Sequence, residues 1–375
     1  MKKYICMLAV SLFSLSANAQ VKVGVIVSAT GSAASVGIPE KNLFDALPDT
    51  LGGEPVRYII LDDASDTTNA VRQARKLVEE EKVDLLIGPS TVPSSIAVAE
   101  IASEMKIPQL ALAPMTINTE QNQWAYAVAQ PTAIMMGAVV DHMKANDIKT
   151  VGFIGFSDSW GEMVLAGVNA NIDDAGIKLV ASERYGRIDT SVSGQVLRVV
   201  AAKPDAVVVG GTGTPGVLPH TTLRQRGYAG PIYHNTGVIN VDFLRVGGSN
   251  VEGAYAPTGP VMVAEQLPDD NPIKKVALEY TALYEGKYGK GTRDAFSAYA
   301  WDGYLLADHA VRIALETAKP GTTEFRSAVR SALETEGEVV GAHAAYNMSK
   351  TDHTGVDARG SVLVQVENGG WSLVE

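Results

Sequence analysis

Apolar runs rich in β-branched residues alternate along this chain with stretches whose apolar positions recur at helical spacing. The first run, at residues 21–27, predicts a buried strand, and a glycine-rich turn follows it at residues 30–37. A helix is predicted at residues 68–81, where apolar side chains recur about one turn apart. By the same reasoning we predict strands at 56–61, 83–87 and 109–112 and a helix at 94–105.

A second set of alternating elements opens at residue 150, which indicates a second sheet built in the same way. Its predicted strands lie at 150–155, 179–183, 206–209 and 231–234, and its predicted helices at 161–175 and 193–202. Two longer helices, at 272–288 and 296–315, and short strand-like runs at 342–346 and 361–366 complete the chain. The predicted fold class is therefore α/β, with two doubly wound parallel-sheet lobes between which the chain crosses more than once.

Composition and charge narrow the class of protein. Hydrophobic residues make up 46% of the 375 residues, which is enough to build proper cores and argues against a disordered chain. Lys and Arg number 31 against 42 Asp and Glu, a net charge of −11, and no basic segment stands out. Nucleic acid is an unfavourable partner for such a chain, because phosphate binding requires a basic face.

The N-terminal segment has the layout of a secretory signal. Two lysines precede an apolar run at residues 4–15, and an Ala-Asn-Ala triplet ends at Ala19, after which we expect cleavage. A membrane anchor is disfavoured, because the run is well short of the roughly 20 residues that a spanning helix needs. The single cysteine, Cys6, falls in this segment, so the expected mature protein is exported, acidic and without a disulfide or a thiolate metal site.

Enzymatic motifs are weak throughout the sequence. The run from Gly211 to Gly216 matches a dinucleotide fingerprint, but Pro215 interrupts the turn and no acidic residue closes the next strand. The stretch 155–159 begins like a nucleophile elbow and lacks its second glycine. The six histidines show no metal spacing, and Asp62, Asp63 and Asp66 fit strand-end and helix-capping roles better than a calcium loop. We therefore expect no catalytic site, cofactor or metal.

Small polar turns follow successive predicted strands, at the edge where open α/β sheets bind ligands. Residues 88–94 read Gly-Pro-Ser-Thr-Val-Pro-Ser and lead from a strand into a helix start. The free amides and hydroxyls of such a turn, at the positive end of a helix dipole, suit a carboxylate, although an ordinary capped helix has the same appearance. Residues 113–116 follow the next strand in the same way.

These turns, in this order after an export signal, resemble the type I periplasmic binding proteins of ABC importers, specifically the branched-chain amino-acid (Leu/Ile/Val) receptor family. The resemblance extends over essentially the whole mature length. It rests on residues 23–26 with the turn 31–37, 61–63 leading into 70–77, 87–91, 151–154 with 160–161, 204–207 with 210–212, and 251–254.

The resemblance implies a ligand bound between two lobes that are joined by three crossings. Lobe 1 is expected at 20–130 plus 257–340, after the signal at 1–19, and lobe 2 at 131–256 plus 341–375. In that family the first lobe holds the ligand carboxylate, and the second closes over it with an aromatic residue and two turns. The implied ligand-binding residues are Ser35, Ser90, Thr91, Val92, Ala113, Met115, Thr116, Trp160, Thr212, Gly213, Thr214 and Thr236.

One departure from the family pattern bears on the ligand. Amino-acid receptors of this family carry an acidic residue near the place of Thr236 for the ligand ammonium, whereas residues 234–238 here read His-Asn-Thr-Gly-Val. An unpaired buried ammonium is costly, so an α-amino acid is disfavoured. The sequence looks more like the branch that takes up aromatic carboxylates and aryl 2-oxo acids, with Trp160 stacking on the ring.

Three classes of function stay open at this stage. The first is a monomeric periplasmic receptor that delivers a small carboxylate, or alternatively an amino acid or amide, to the membrane permease of an ABC importer. The second is an exported enzyme, and the third is a sensory receptor of the same fold. A receptor differs from an enzyme in binding its ligand without turnover and changing shape as it does so.

Overall fold

A computed structural model describes residues 20–335 and 337–374. The first set of elements is β1 (Val21–Val27), α1 (Ala34–Phe44), β2 (Thr50–Leu51), β3 (Glu54–Asp62), α2 (Thr67–Glu79), β4 (Leu85–Ile87), α3 (Val92–Met105), β5 (Gln109–Ala111) and β6 (Ala125–Ala127). The second set is α4 (Thr132–Ala145), β7 (Thr150–Phe156), α5 (Ser159–Ala175), β8 (Lys178–Tyr185), α6 (Ser193–Ala201), β9 (Ala206–Gly210), α7 (Val217–Gln225), β10 (Ile232–Tyr233), α8 (Val241–Gly247) and β11 (Tyr255–Thr258). The chain continues with α9 (Pro272–Tyr288), α10 (Ala295–Ala314), α11 (Thr323–Thr335), β12 (Val339–Val340), β13 (Ala345–Tyr346), β14 (Val362–Glu367) and β15 (Gly370–Leu373).

Two large sheets organise these elements. The first has the order β2-β3-β1-β4-β5-β6 and the second β15-β14-β11-β10-β9-β7-β8. In the first sheet, the neighbouring strands of the run β3-β1-β4-β5-β6 are all parallel, and so are those of the run β11-β10-β9-β7-β8 in the second. This confirms the predicted α/β class. Strands β2, β14 and β15 pair antiparallel at sheet edges, which the alternation of strand and helix did not indicate.

Helices cover both faces of the first sheet, which explains why its central strands are apolar throughout. Helices α1, α9, α10 and α11 pack on one face and form the largest core together with the side chains of β1 and β4. Helices α2 and α3 cover the other face. The turn expected at 30–37 is only partly a turn, because α1 already begins at Ala34. Gly37 is required within that helix, since a Cβ there would lie 2.3 Å from the backbone of Ser28.

The second sheet is built in the same manner, and its largest core contains side chains of α4, α5 and α6 together with those of β7 and β9. A smaller core joins α8, β11 and β14 to residues 263 and 295, which belong to the segment leading back to the first sheet. The order of strands reverses between β1 and β4 in one sheet and between β7 and β9 in the other. These reversals are the positions at which doubly wound sheets form ligand crevices.

Two details differ from the expected lobe boundaries, whose full extent stays a prediction. The segment with β13 packs in the core of the first sheet, although residues 341–375 were expected in lobe 2. The cause is Tyr346, whose hydroxyl lies within hydrogen-bond distance of Asp302 Oδ2, at 2.8 Å, and of the carbonyl oxygen of Val128, at 3.0 Å. In addition, β11 lies wholly in the second sheet, so the expected boundary at residue 257 divides a strand.

The predicted signal segment 1–19 lies outside the described residues. Across the part of the chain that is described, no helix combines the length and apolar character needed to cross a membrane.

Candidate functional site

A small cavity lies between the two sheets, at the carboxyl ends of their parallel strands. Loops after β4 and β5 and the start of α10 line one side, and loops after β7, β8, β9 and β10 line the other. The lining residues are Ser90, Thr91, Val92, Leu112, Ala113, Pro114, Phe296 and Tyr299 on the first side and Trp160, Arg187, Thr212, Thr236 and Gly237 on the second. We call this space the cleft.

Seven of the twelve residues expected from the sequence line the cleft, namely Ser90, Thr91, Val92, Ala113, Trp160, Thr212 and Thr236. The other five lie elsewhere. Met115 is buried in a small apolar cluster with Ala99, Ala111 and Ala125, because the chain turns back toward α3 after β5. Thr116 is exposed and faces a separate surface groove. The structure therefore places neither Met115 nor Thr116 at the cleft.

Ser35, Gly213 and Thr214 form a contact between the lobes beside the cleft. The amide of Thr214 donates to Ser35 Oγ at 3.3 Å. Gly213 has φ +55°, and a Cβ on it would lie 2.3 Å from the same oxygen, so only glycine permits this approach. These three residues were predicted as ligand contacts, and their observed contact joins one lobe to the other instead.

The Ser90 hydroxyl is embedded in a buried hydrogen-bond chain. Ser90 Oγ accepts from the amide of Ser28 at 2.9 Å and is hydrogen-bonded to Glu40 Oε2. The Ser28 hydroxyl in turn donates to Asp63 Oδ1 at 2.7 Å. Burial raises the pKa of the fully buried Glu40 well above its ordinary value, and the nearby carboxyls of Asp63 and Asp294 act in the same direction.

Helical turns begin at four places around the cleft, and their capping differs. Asp158 caps α5 by accepting from the amide of Trp160 at 3.0 Å, and Asp294 caps α10 by accepting from the amide of Phe296 at 2.8 Å. Asn235 caps the short turn at 236–238 in the same way. Helix α3 has Thr91 at its N-cap and receives no side-chain cap. Its first-turn amides are therefore available to an anion in the cleft.

Arg187 is the lining residue with the clearest chemistry, and the sequence analysis missed it. Its Nε donates to Asp158 Oδ2 at 2.5 Å, and its guanidinium lies 4.4 Å from the ring centre of Phe156. No other residue of the described chain accepts a hydrogen bond from its Nη groups. The sequence offered one signal for Arg187: it lies two residues after β8, at the same edge of the sheet as the predicted ligand-binding turns.

Aromatic side chains form much of the remaining wall. Trp160 is 4% exposed, and its indole Nε1 is buried without a hydrogen-bond partner in the described structure. Phe296 and Tyr299 come from the first turn of α10 and were also missed by the sequence analysis. The Tyr299 hydroxyl donates to Gln130 Oε1 at 2.6 Å, so this ring is held in one orientation.

The charge of the lining is one-sided. Arg187 is cationic, and no Asp or Glu is among the residues that line the cleft in the described chain. His234, the first residue of the 234–238 run, is buried behind the cleft, where its Nε2 lies 2.9 Å from Nδ1 of His220. Burial lowers the pKa of both imidazoles, to about 3 for His220, so both are neutral near pH 7.

The motifs that resembled enzymatic sites have structural roles. A Cβ on Gly211 would lie 2.3 Å from the hydroxyl oxygen of Tyr185, so this glycine of the dinucleotide-like motif is required for packing. Asp66 caps α2 and Asp62 accepts from Thr30, as the capping interpretation predicts. Within residues 20–335 and 337–374, no group of three His, Cys, Asp or Glu side chains is arranged to hold a metal ion.

Comparison with known proteins gives consistent matches. The profile of a family described as "Periplasmic binding protein" matches residues 20–370. The chain is similar to the Leu/Ile/Val-binding protein BraC3 of Rhizobium johnstonii, with 22% identity over 336 residues, which cover 87% of each chain.

Solved structures agree with this match. An extracellular ligand-binding receptor from Rhodopseudomonas palustris HaA2 is 42% identical and superposes with a TM-score of 0.93, covering 95% of this chain and all (100%) of that one. A solute-binding protein of an ABC transporter from R. palustris BisB5, solved with 3,4-dihydroxybenzoic acid, is 21% identical with a TM-score of 0.78, over 95% of this chain and 96% of that one. At that identity the second likeness concerns the fold alone.

Proposed function

The chain belongs to the periplasmic binding protein family, as a type I solute receptor of the branched-chain amino-acid receptor group, and we propose that its ligand is a small aromatic carboxylate or aryl 2-oxo acid. The ligand binds in the cleft, and the two lobes close over it and exclude water. The receptor then delivers it, unchanged, to the membrane permease of an ABC importer. We also propose that it acts as an exported monomer.

The observation that carries the ligand class is the one-sided charge of the cleft. A carboxylate finds Arg187 with unoccupied Nη donors, and across the cleft it finds the uncapped first turn of α3. A guanidinium binds a carboxylate through charge-assisted hydrogen bonds, and helix-end amides add to them. A zwitterionic amino acid would leave its ammonium without a carboxylate partner there, which costs several kcal/mol, roughly, for a buried charge.

The aromatic preference rests on the shape and composition of the wall. Trp160, Phe296 and Tyr299 line the cleft from both lobes, and together they offer flat apolar surface to a planar ring. A ring between them would contact both lobes at once, so it would favour the closed arrangement. The R. palustris BisB5 protein, which shares the fold, binds dihydroxybenzoate, a ligand with this chemistry.

A branched-chain amino-acid receptor is the second candidate, favoured by the similarity to the Rhizobium protein. It predicts a carboxylate side chain near the ligand amino group. The sequence run 234–238 lacks one. Its Thr236 offers the cleft only a hydroxyl, and Asn235 accepts from the amide of Gly237 at 2.7 Å and donates to the carbonyls of Val209 and Gly211. The cleft therefore favours the aromatic acid.

The test is a binding screen on the purified mature protein. Benzoate, hydroxybenzoates, phenylpyruvate, leucine and valine are compared by thermal shift, and the binders are then measured by calorimetry. A ligand at 100 times its Kd stabilises a protein by about 2.7 kcal/mol, which gives a clear shift. We expect shifts with aromatic acids and none with leucine or valine. Stabilisation by leucine or valine alone would refute the proposed ligand class, and recovery of a chemically changed ligand would refute a receptor without catalysis.

A further inference from the structure

The Ser90 hydroxyl has one proton to donate and two lone pairs that can accept. The amide of Ser28 occupies one lone pair at 2.9 Å. Glu40 Oε2 is the second partner, which leaves one direction of the hydroxyl without a partner in the described structure, in a residue that lines the cleft. Which way the hydroxyl proton points therefore depends on whether Glu40 accepts from Ser90 or donates to it.

Burial and two neighbouring carboxyls oppose the ionisation of Glu40, whereas a hydrogen bond donated by the Ser90 hydroxyl would favour it. Its side chain is fully buried on α1, and its Oε1 has no hydrogen-bond partner in the described structure. The charged groups that face it are the carboxyl of Asp63, at the end of β3, and that of Asp294, at the start of α10. No Lys or Arg forms a salt bridge with Glu40 within residues 20–335 and 337–374. A buried carboxyl without a cation takes up a proton rather than remain charged.

We propose that protonated Glu40 donates its proton to a hydrogen bond with Ser90 Oγ and so turns the Ser90 hydroxyl proton toward the ligand carboxylate. Glu40 is then a positioning residue that makes Ser90 a donor to an anion, although Glu40 itself does not touch the ligand. The inference rests on the proposed function, because it requires a carboxylate at the α3 side of the cleft. No proton leaves the protein in this arrangement; only the direction of two hydrogen bonds is fixed.

Ionisation of Glu40 would reverse the polarity of Ser90. The carboxylate can only accept, so the Ser90 proton would point to Glu40, and a lone pair of Ser90 would face the ligand oxygen. The ligand would lose a charge-assisted hydrogen bond and gain a repulsive contact and a nearby buried anion. Carboxylate affinity is therefore expected to fall as the pH rises through the pKa of Glu40, which burial raises well above its ordinary value.

Glu40→Gln tests this relation, since its amide keeps a donor for Ser90 at every pH. Benzoate, which stays ionised throughout, is titrated by calorimetry between pH 6 and 9.5 into wild type, Glu40→Gln and Ser90→Ala. Across the pH at which Glu40 loses its proton, we expect wild type to lose at least about tenfold in affinity and Glu40→Gln to lose less than about threefold. The Ser90→Ala protein is expected to bind about tenfold more weakly at pH 6 and to show a shallower dependence on pH than wild type, because it has no hydroxyl to turn and only the charge of ionised Glu40 acts on the ligand. Asp63 and Asp294 are present in all three proteins, so a pH dependence that they alone cause would appear in all three.

An infrared difference spectrum between wild type and Glu40→Gln without ligand, at pH 6, supplies an independent readout. We expect the carbonyl band of a protonated carboxyl in wild type and its loss in the variant. Parallel pH profiles in wild type and Glu40→Gln over a pH range in which that band disappears, or the absence of the band at pH 6, would overturn the inference and leave the proposed function standing. Should Glu40→Gln not fold, a Ser90→Ala profile as steep as that of wild type would overturn it as well. Failure of wild type to bind any aromatic carboxylate would overturn the proposed function and this inference together.

Discussion

Replacing Arg187 by methionine is the sharpest test of how the cleft recognises an anion. Methionine keeps an unbranched apolar stem over Phe156, where the guanidinium now lies 4.4 Å from the ring centre, and removes only the charge and its donors. Asp158 keeps its cap on α5 through Oδ1, which accepts from the amides of Trp160 and Gly161 at 3.0 and 3.3 Å. The helix that carries Trp160 should therefore stay in place.

The size of the effect follows from what the substitution removes. A hydrogen bond to a charged group contributes about 1.5–3 kcal/mol, and each 1.4 kcal/mol is a factor of ten in Kd, so the loss of one such bond weakens binding by roughly 10- to 150-fold. The Arg187 side chain is only 19% exposed, so solvent screens it little. Asp158 Oδ2 also loses its partner and becomes a bare anion beside the ligand, which acts in the same direction.

Arg184, near the end of β8, offers a matched control three residues before Arg187. It forms a paired contact with Glu162, at 2.5 and 2.9 Å, and it lies 5.2 Å from the ring centre of Phe153, but it does not line the cleft. Benzoate affinity is measured by calorimetry for Arg187→Met, Arg184→Met and wild type, with thermal melting of each protein alone. We expect the loss in Arg187→Met only. A loss below threefold in Arg187→Met, or an equal loss in both variants, would show that the cation in the cleft does not hold the carboxylate.

Three further predictions concern the wall, the crossings and the pH dependence of stability. Trp160→Ala should weaken aromatic-acid binding by about tenfold or more through lost ring contact, as measured by calorimetry with melting as a check on folding; an unchanged Kd would exclude stacking. Gly259→Ala should destabilise the protein by about 1–3 kcal/mol in urea, because its Cβ would lie 2.0 Å from His343 Nδ1, whereas Gly286→Ala, whose Cβ meets no atom within 4 Å, should be neutral or slightly stabilising. Burial raises the pKa of Asp294 to about 8. The contribution of its protonated form to the free energy of unfolding is therefore complete below about pH 4 and is lost as the pH rises to about 8. Asp294→Asn, which keeps the helix cap, should flatten that part of the urea-unfolding profile, and an unchanged profile would contradict the assigned burial.

Sequence periodicity predicted the elements whose surroundings are simple. Strands such as β1 are covered on both faces, so their apolar character alone identifies them, and the loops that follow them fall at the strand-order reversals by topology. Residues 30–37 were predicted as a glycine-rich turn because they include Gly31 and Gly37, whereas α1 begins at Ala34. Gly37 instead permits the close approach of this helix to the backbone of Ser28, a contact that is not visible in the sequence.

The site could be predicted only where it is made of consecutive residues after a strand. Phe296 and Tyr299 reach the cleft because α10 starts beside it after the chain has returned to the first lobe, and their spacing reads simply as an apolar helix face. The turn 113–116 had the same polar pattern as 88–94, yet Met115 packs among three buried alanines and does not line the cleft. Polar spacing identifies the edge of the sheet, and apolar packing decides which side chains face the ligand.

The preference for an anion depends on how the chain allocates its acceptors around the cleft. Asp158, Asn235 and Asp294 each accept hydrogen bonds from amides at the start of a helical turn. Their capping oxygens are therefore occupied within the protein and are not offered to the ligand. Asp158 also fixes Arg187, so the charge of this carboxylate is neutralised by the cation that it positions. The α3 turn at Thr91 is left uncapped, and the ligand carboxylate can serve as its cap. If the Thr91 hydroxyl accepted from these amides, they would be satisfied from within the protein, and an anion would gain less by binding there.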